Sequence, residues 1–242
     1  GFSLSPKTAF EKLCLTRFVN CVVVLAFTVK VVHINLKDVL KQLSEPPYVS
    51  YVPMVRTVTS RGKSHLQFDG TALIQGQHMV GELNSQETQG LVWLLGKERG
   101  GSIEVKDPNS GDTYVLEAGK ESMKTHVTMR GSELYVDTTI RIPGTIAQSE
   151  HANPMDPKQL AAMETLFTRE VYSTTNHTLA SLQSRKVDAL GIGLRVYRRD
   201  PKTWHRIEKH WGEIFSKGHF TLHITVQARH PGLIRTIYPH VG

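Results

Sequence analysis

Between Gln159 and Lys186 the apolar residues fall at helical spacing, while on either side of that stretch they alternate every second residue. Leu160, Met163, Phe167, Val171, Leu179 and Leu182 line one face of a single long helix. Ahead of it, Leu66, Phe68, Ala72 and Ile74 predict a strand, Gln75-Gly76-Gln77 a turn, and Met79, Gly81 and Leu83 a returning strand. Ile103/Val105 and Tyr114-Val115-Leu116 predict a second hairpin across Pro108-Asn109-Ser110-Gly111. Val127/Met129 and Leu134/Val136 continue the alternation, extended by Thr138, Ile140 and Ile142. Beyond the helix, Phe220, Leu222, Ile224 and Val226 alternate with Thr221, His223, Thr225 and Gln227, the cleanest strand pattern in the chain. Side chains repeat every 3.6 residues on a helix and every 2 on a strand, so this chain must bury both kinds of face.

Local signals set the element ends. Asn84 followed by Glu87 fits a capping box, and Gly96 suits a left-handed helix stop. Asp156 fits an N-cap with Pro157 in the first turn. One further helix is expected from Pro201 to Phe215. The polar stretch Pro143 to Pro157 reads as a linker by composition. Residues 1–60 offer a buried strand at about 21–34, a helix from Leu36 to Leu43 ended by Pro46-Pro47, and extended chain from Tyr48 to Val55 broken at Pro53. One strand and one helix make no core of their own. Residues 1–60 are therefore read as the remnant of an N-terminal domain, and the start at Gly1 as that of a fragment or processed product.

The charge is unevenly placed. The chain carries 29 Lys and Arg against 22 Asp and Glu. Residues 185–242 hold 11 of those cations and only 4 of the acids, so the net charge of +7 lies entirely in the last quarter, with six of the twelve His. A localised basic surface suits phospholipid headgroups, nucleic acid or an acidic protein face; the plainer reading is a solvated basic face. Cys14 and Cys21 form neither a disulfide framework nor a CxxC pair and read as small buried hydrophobes. The apolar run 21–29 is too short to span a bilayer as a helix and reads as a buried strand.

No stretch carries a reaction motif. Gly191-Ile192-Gly193 lacks the third glycine and preceding strand of a dinucleotide loop, so it reads as a backbone turn. His205 and His210 miss the i,i+4 spacing of a helical metal pair, and His219 and His223 have no carboxylate near them in sequence. Asn176-His177-Thr178 matches a glycosylation sequon but falls mid-helix. Trp204, Ile207, Trp211 and Ile214 form one stripe, which suits a core-facing helix or, more sharply, an interfacial helix at headgroup depth.

Two blocks carry a resemblance. Gly70-Thr71-Ala72, Val80-Gly81, Leu83, Glu87-Thr88, Trp93-Leu94 and Gly96-Lys97 form the first. Asp188, Leu190-Gly191, Gly193, Pro201, Trp204, Trp211, Ile214-Phe215, Val226, Arg229 and Gly232-Leu233-Ile234 form the second. In this order and spacing they resemble the Ger(x)C family, the C subunit of bacterial spore germinant receptors. Leu194 departs from that pattern, which has an acidic residue there. Residues 1–35 do not resemble the family's N-terminal region, and its lipid-attachment Cys is absent.

The resemblance implies an α+β fold, an antiparallel β-sheet covered by helices, with 61–242 as one unit. The strand at 219–227 would then join the sheet built from 66–142. It implies a non-catalytic lipoprotein subunit on the outer face of the spore inner membrane, acting with membrane-embedded A and B subunits to trigger germination in response to nutrients. It implies no cofactor, no metal and no catalytic residue; Gly70, Trp93, Gly96, Gly191, Gly193, Trp204, Trp211 and Phe215 are the expected structural positions. Two alternatives stand beside it: a hydrolase using the His-rich C-terminal region, and a basic nucleic-acid-binding module. The second is ranked lower because Trp204 and Trp211 read as buried rather than as stacking platforms.

Overall fold

The structure, a computed structural model, describes residues 31–60, 62–97 and 100–229. Its elements are α1 (Leu36–Ser44), β1 (Val49–Ser60), β2 (Lys63–Gln75), β3 (His78–Leu83), α2 (Ser85–Leu94), β4 (Gly101–Lys106), β5 (Thr113–Ala118), β6 (Ser122–Arg130) and β7 (Glu133–Ser149). Then follow α3 (Pro157–Ser184), α4 (Ile192–Arg199), α5 (Pro201–Ile207), a 3₁₀ turn (Glu208–His210), α6 (Trp211–Ser216) and β8 (His219–Arg229). Cys14, Cys21 and the apolar run 21–29 lie outside the described residues, and 31–35 carry no regular structure.

Two sheets result. One has the order β1-β2-β3. β1 pairs antiparallel with β2 from Val49↔Gln75 to Ser60↔Lys63, a hairpin that crosses the expected division at residue 60. Pro53 does not end β1, which is an edge strand, where proline is tolerated; the register shifts between Pro53 and Val55, with the extra residue on β2. The other sheet runs β4-β5-β7-β6, with β8 on the free side of β7.

The strand at 219–229 does join the strands drawn from the middle of the chain, from Tyr135↔His219 to Thr145↔Arg229, but in parallel. The sheet is therefore mixed rather than purely antiparallel. The helices between Ser149 and His219 form the long crossover that a parallel pair requires.

The stretch Pro143 to Pro157 is not a linker throughout, because β7 runs through Pro143 to Ser149. Pro143 fits because pairing with β6 ends at Arg141 and pairing with β5 begins at Gly144. Its carbonyl accepts from the Gly119 amide at 2.7 Å on that side, so its missing N–H falls at the seam between the two partners.

Along β7, Leu134, Val136, Thr138, Ile140, Ile142 and Ile146 point to the interior. On α3 the buried stripe runs Met163, Phe167, Val171, Thr174, Thr178, Leu179 and Leu182. Two apolar clusters form. One joins Leu83, Leu91 and Val92 to Ile192, Trp204, Trp211 and Phe215. The other joins Trp93 and Leu94 to β4, β5, β7 and α3. α2 feeds both.

The contact between α2 and α3 depends on Gly90. A Cβ there would stand 2.1 Å from Thr178 Oγ1 and 2.8 Å from the Thr174 carbonyl oxygen. Gly90→Ala is therefore expected to destabilise by about 2 kcal/mol, although alanine is the better helix former. The urea midpoint measures this; an unchanged or raised midpoint would show that the helices can part without cost.

Candidate functional site

Asp188 anchors the C-terminal quarter. It lies between α3 and α4 and is 2 % exposed. Gly191, with φ +70, turns the chain into α4 as its N-cap but has no side chain to cap it. Asp188 supplies the cap from three residues upstream. Its Oδ1 accepts from Ile192 N at 3.0 Å, and its Oδ2 accepts from Gly193 N at 2.6 Å and from Trp211 Nε1 at 3.0 Å. Burial pushes the Asp188 carboxyl up, and the amides of Gly193 and Ile192, the Trp211 indole and the Leu190 amide pull against it.

Gly193 lets the two indoles close over this turn, since a Cβ would stand 2.9 Å from the Trp204 ring and 3.0 Å from Trp211 Nε1. The Trp204 and Trp211 rings lie 5.1 Å apart, and Phe215 is fully buried beside them. Trp204 is 1 % and Trp211 5 % exposed, so the stripe faces the core and the interfacial-helix reading fails. The single helix expected over 201–215 is instead α5, a 3₁₀ turn and α6. The tighter turn brings Trp211 to Asp188 as well as to Trp204, a tertiary demand that period alone does not reveal. α4 was not expected, because the residues around Gly191 and Gly193 read only as a turn.

The first block lies against the same body. Gly70 has φ +95, and a Cβ would stand 2.0 Å from the Leu83 carbonyl oxygen. The Asn84/Glu87 capping box forms, with Asn84 Oδ1 accepting from Glu87 N and Glu87 Oε2 from Asn84 N, both at 2.9 Å. Glu87 is also bonded by the Ser181 hydroxyl of α3. Gly96 has φ +65 beyond the end of α2. Trp93 is buried in the second cluster, with no acceptor for its Nε1 among the described residues. Gly191, Gly193, Trp204, Trp211 and Phe215 thus come together, while Gly70, Trp93 and Gly96 sit elsewhere. Leu194 is half-buried on α4. Asp188 is the residue sequence reasoning underused: it stood in the second block, but nothing in its spacing revealed three donors converging on it.

The imidazoles are dispersed among the described residues. His205 and His210 are exposed on α5 and the 3₁₀ turn, with Glu208 3.8 Å from His205. His219 stacks on Tyr135, and His223 lies 3.1 Å from Asp137 of the neighbouring strand. A different group converges: one ligand atom each from Asp112, Glu150 and His151 lie within 4.8 Å of one another. β5–β7 pairing brings these together across 39 positions, so no sequence spacing could have announced them.

Glu150 accepts from the Thr113 amide at 3.1 Å, and His151 Nδ1 lies 2.8 Å from Asp112 Oδ1. The hydrogen bond from His151, then its charge, holds the Asp112 carboxyl low, and the same contact raises His151. A raised histidine stabilises below its ordinary pKa and loses that contribution as pH rises through the folded value. A lowered carboxylate stabilises above its ordinary pKa and loses it as pH falls through the folded value. The pair's contribution is therefore full between the two ordinary values and is lost as pH passes the folded value on either side. An NMR titration of His151 is expected to give a pKa above about 6.5, brought down by Asp112→Asn; a titration indifferent to Asp112 would remove the pair.

The model of the family described as "Spore germination B3/ GerAC like, C-terminal" matches residues 69–232, and the chain belongs to that family. It is 27% identical over 197 residues to spore germination protein KC of Bacillus subtilis (strain 168), covering 75% of this chain and 48% of that protein. It is 25% identical over 175 residues to spore germination protein YndF of the same organism, covering 71% of this chain and 43% of that protein. The chain thus spans about half the length of the curated relatives it matches. The crystal structure of the GerBC protein aligns with a TM-score of 0.69 at 21% identity, over 81% of this chain and 60% of that one, a likeness of fold.

Proposed function

We propose that this chain is the C-terminal body of a spore germinant receptor C subunit, a non-catalytic part that assembles with membrane-embedded A and B subunits and helps trigger germination. The observation that carries this reading is the way the two family blocks build one interior. Leu83 of the first block, with Leu91 and Val92 inside its span, packs with Trp204, Trp211 and Phe215 of the second and with Ile192 between its two glycines. The glycines and tryptophans of those blocks serve packing and turns, which suits a scaffold. What the body offers outward is recognition surface. Arg195, Arg198, Arg199, Lys202, Arg206 and Lys209 are exposed along α4, α5 and the 3₁₀ turn, against only Asp200 and Glu208.

In this reading the protein works at the outer face of the spore inner membrane, with the basic edge toward anionic headgroups or an acidic subunit face. No helix among the described residues is long and apolar enough to cross a membrane. A tagged chain expressed in spores is expected to co-purify with the A and B subunits; failure to do so in any of several detergents would sink the assembly role. Co-sedimentation is expected with vesicles containing anionic lipid and not with neutral ones. Equal binding to both would remove electrostatics as the cause.

A further inference from the structure

Asp112, Glu150 and His151 converge just beyond the β5–β7 ladder, which ends at Tyr114↔Ser149. One carboxylate oxygen from each acid and one ring nitrogen of His151 lie within 4.8 Å of one another. The backbone beneath Asp112 is fixed. Its carbonyl accepts from the Asp107 amide at 2.8 Å, and its amide donates to Ser110 Oγ at 3.2 Å, which closes the turn between β4 and β5. The Asp112 side chain is only 13 % exposed, so its carboxylate has little room to swing away. The Thr113 amide holds Glu150 by Oε2, which leaves Oε1 for another partner. Hydrogen bonds from behind ordinarily orient a ligating carboxylate in this way.

The charges there are unbalanced. No Lys or Arg among the described residues stands within ion-pair distance of Asp112 or Glu150. Only the His151 imidazole meets them, its Nδ1 2.8 Å from Asp112 Oδ1. A neutral imidazole leaves two carboxylates side by side, and like charges at this range repel. One divalent cation neutralises both. An imidazole nitrogen with two carboxylate oxygens is a donor set of Zn²⁺ rather than of Mg²⁺ or Ca²⁺, which take oxygen ligands. Bonds of about 2.0–2.2 Å place ligand atoms roughly 3–4 Å apart. Glu150 and His151 are exposed, so side-chain rotation can close the remaining gap onto Asp112.

We propose that Asp112, Glu150 and His151 form a Zn²⁺ site, with Asp112 as the fixed ligand and Glu150 Oε1 and His151 Nδ1 closing onto the ion. Three protein ligands leave a fourth position to water. The ion clips the turn between β4 and β5 to the segment that leaves β7 for α3. The resemblance in the sequence implies no metal; these donors meet only in the fold. The site stands apart from both family blocks and from the basic edge, and it does not depend on the receptor reading.

The test is a Zn²⁺ titration of the full chain, followed by the ring ¹⁵N resonances of histidine, with His151→Ala to assign His151. The His151 resonances are expected to move saturably below about 0.1 mM Zn²⁺. The melting temperature should rise with the ion by mass action, and His151→Ala should remove that rise. Asp112→Asn and Glu150→Gln should each weaken binding about tenfold or more. Mg²⁺ at about 10 mM should reproduce neither effect. Glu150 is exposed, so Glu150→Gln decides the matter if Asp112→Asn does not fold. A His151 resonance unmoved at that concentration, or moved equally by Mg²⁺, would overturn the site. So would movement indifferent to the carboxylate variants, which marks adventitious binding at an exposed imidazole. Failure here would leave the receptor reading standing, and failure to co-purify with A and B would leave the site standing.

Discussion

Asp188→Asn is expected to cost about 3 kcal/mol or more, and to lower the melting temperature by roughly 10 °C. The carboxylate accepts from Ile192 N and Gly193 N at the start of α4 and from Trp211 Nε1. An asparagine keeps one acceptor oxygen and turns an NH₂ toward the remaining donors, so at least one buried N–H is orphaned. Asp188→Ala orphans all three, and its loss should be at least as large. Both changes release Trp211, so the near-ultraviolet circular dichroism of the tryptophans should weaken with the stability. An Asp188→Asn protein that melts with the parent would show that the three hydrogen bonds contribute nothing net.

The same residue fixes a sign in the pH dependence. Because burial raises the Asp188 carboxyl, the folded state holds that proton to higher pH than the unfolded chain does. Its contribution to stability is greatest below the ordinary aspartate pKa and falls as pH rises through the folded value. Asp200 contributes with opposite sign: the Thr203 hydroxyl and amide hold it low, so its contribution is lost on acidification.

Gly70→Ala is the second large effect. The backbone at φ +95 already disfavours a side chain, and the Cβ would stand 2.0 Å from a backbone carbonyl oxygen, which no rotamer change can relieve. A loss of about 3 kcal/mol or more is expected, or failure to fold. Gly191→Ala is the matched control: its φ is +70, but nothing lies within 4 Å of the added carbon. It should cost about 1 kcal/mol, the conformational penalty alone. Chemical denaturation of the two variants side by side measures the difference. Equal losses would mean that backbone preference, not the approach of Leu83, governs Gly70.

Much of the local structure was legible. The Asn84/Glu87 box, the Asp156-Pro157 helix start, the hairpin turns at Gly76 and Gly111, and the two-residue rhythm of β7 and β8 are written in neighbouring residues. What was misread depended on distant ones. The stretch Pro143 to Pro157 looked like a linker because it is polar and carries three prolines; only the division of one β7 edge between β6 and β5 makes Pro143 acceptable inside a strand. The helix from Pro201 to Phe215 looked continuous because its apolar spacing is helical; it breaks where Trp211 must meet Asp188.

The exposed edge was partly legible as charge, since six cations gather between residues 195 and 210. The convergence of Asp112 with Glu150 and His151 was not, because they meet only through the pairing of β5 with β7.

By itself the sequence determined most of the elements and their order, α4 and the break at the 3₁₀ turn excepted, many of their ends, and through its two blocks the family. Propensity, capping and periodicity act within a few residues, so they survive in a linear reading. The tertiary structure alone decided that β8 runs parallel to β7 and that Asp188 gathers three donors. Those outcomes depend on which surfaces meet after the chain has folded back across dozens of residues, and on whether each buried donor there finds an acceptor.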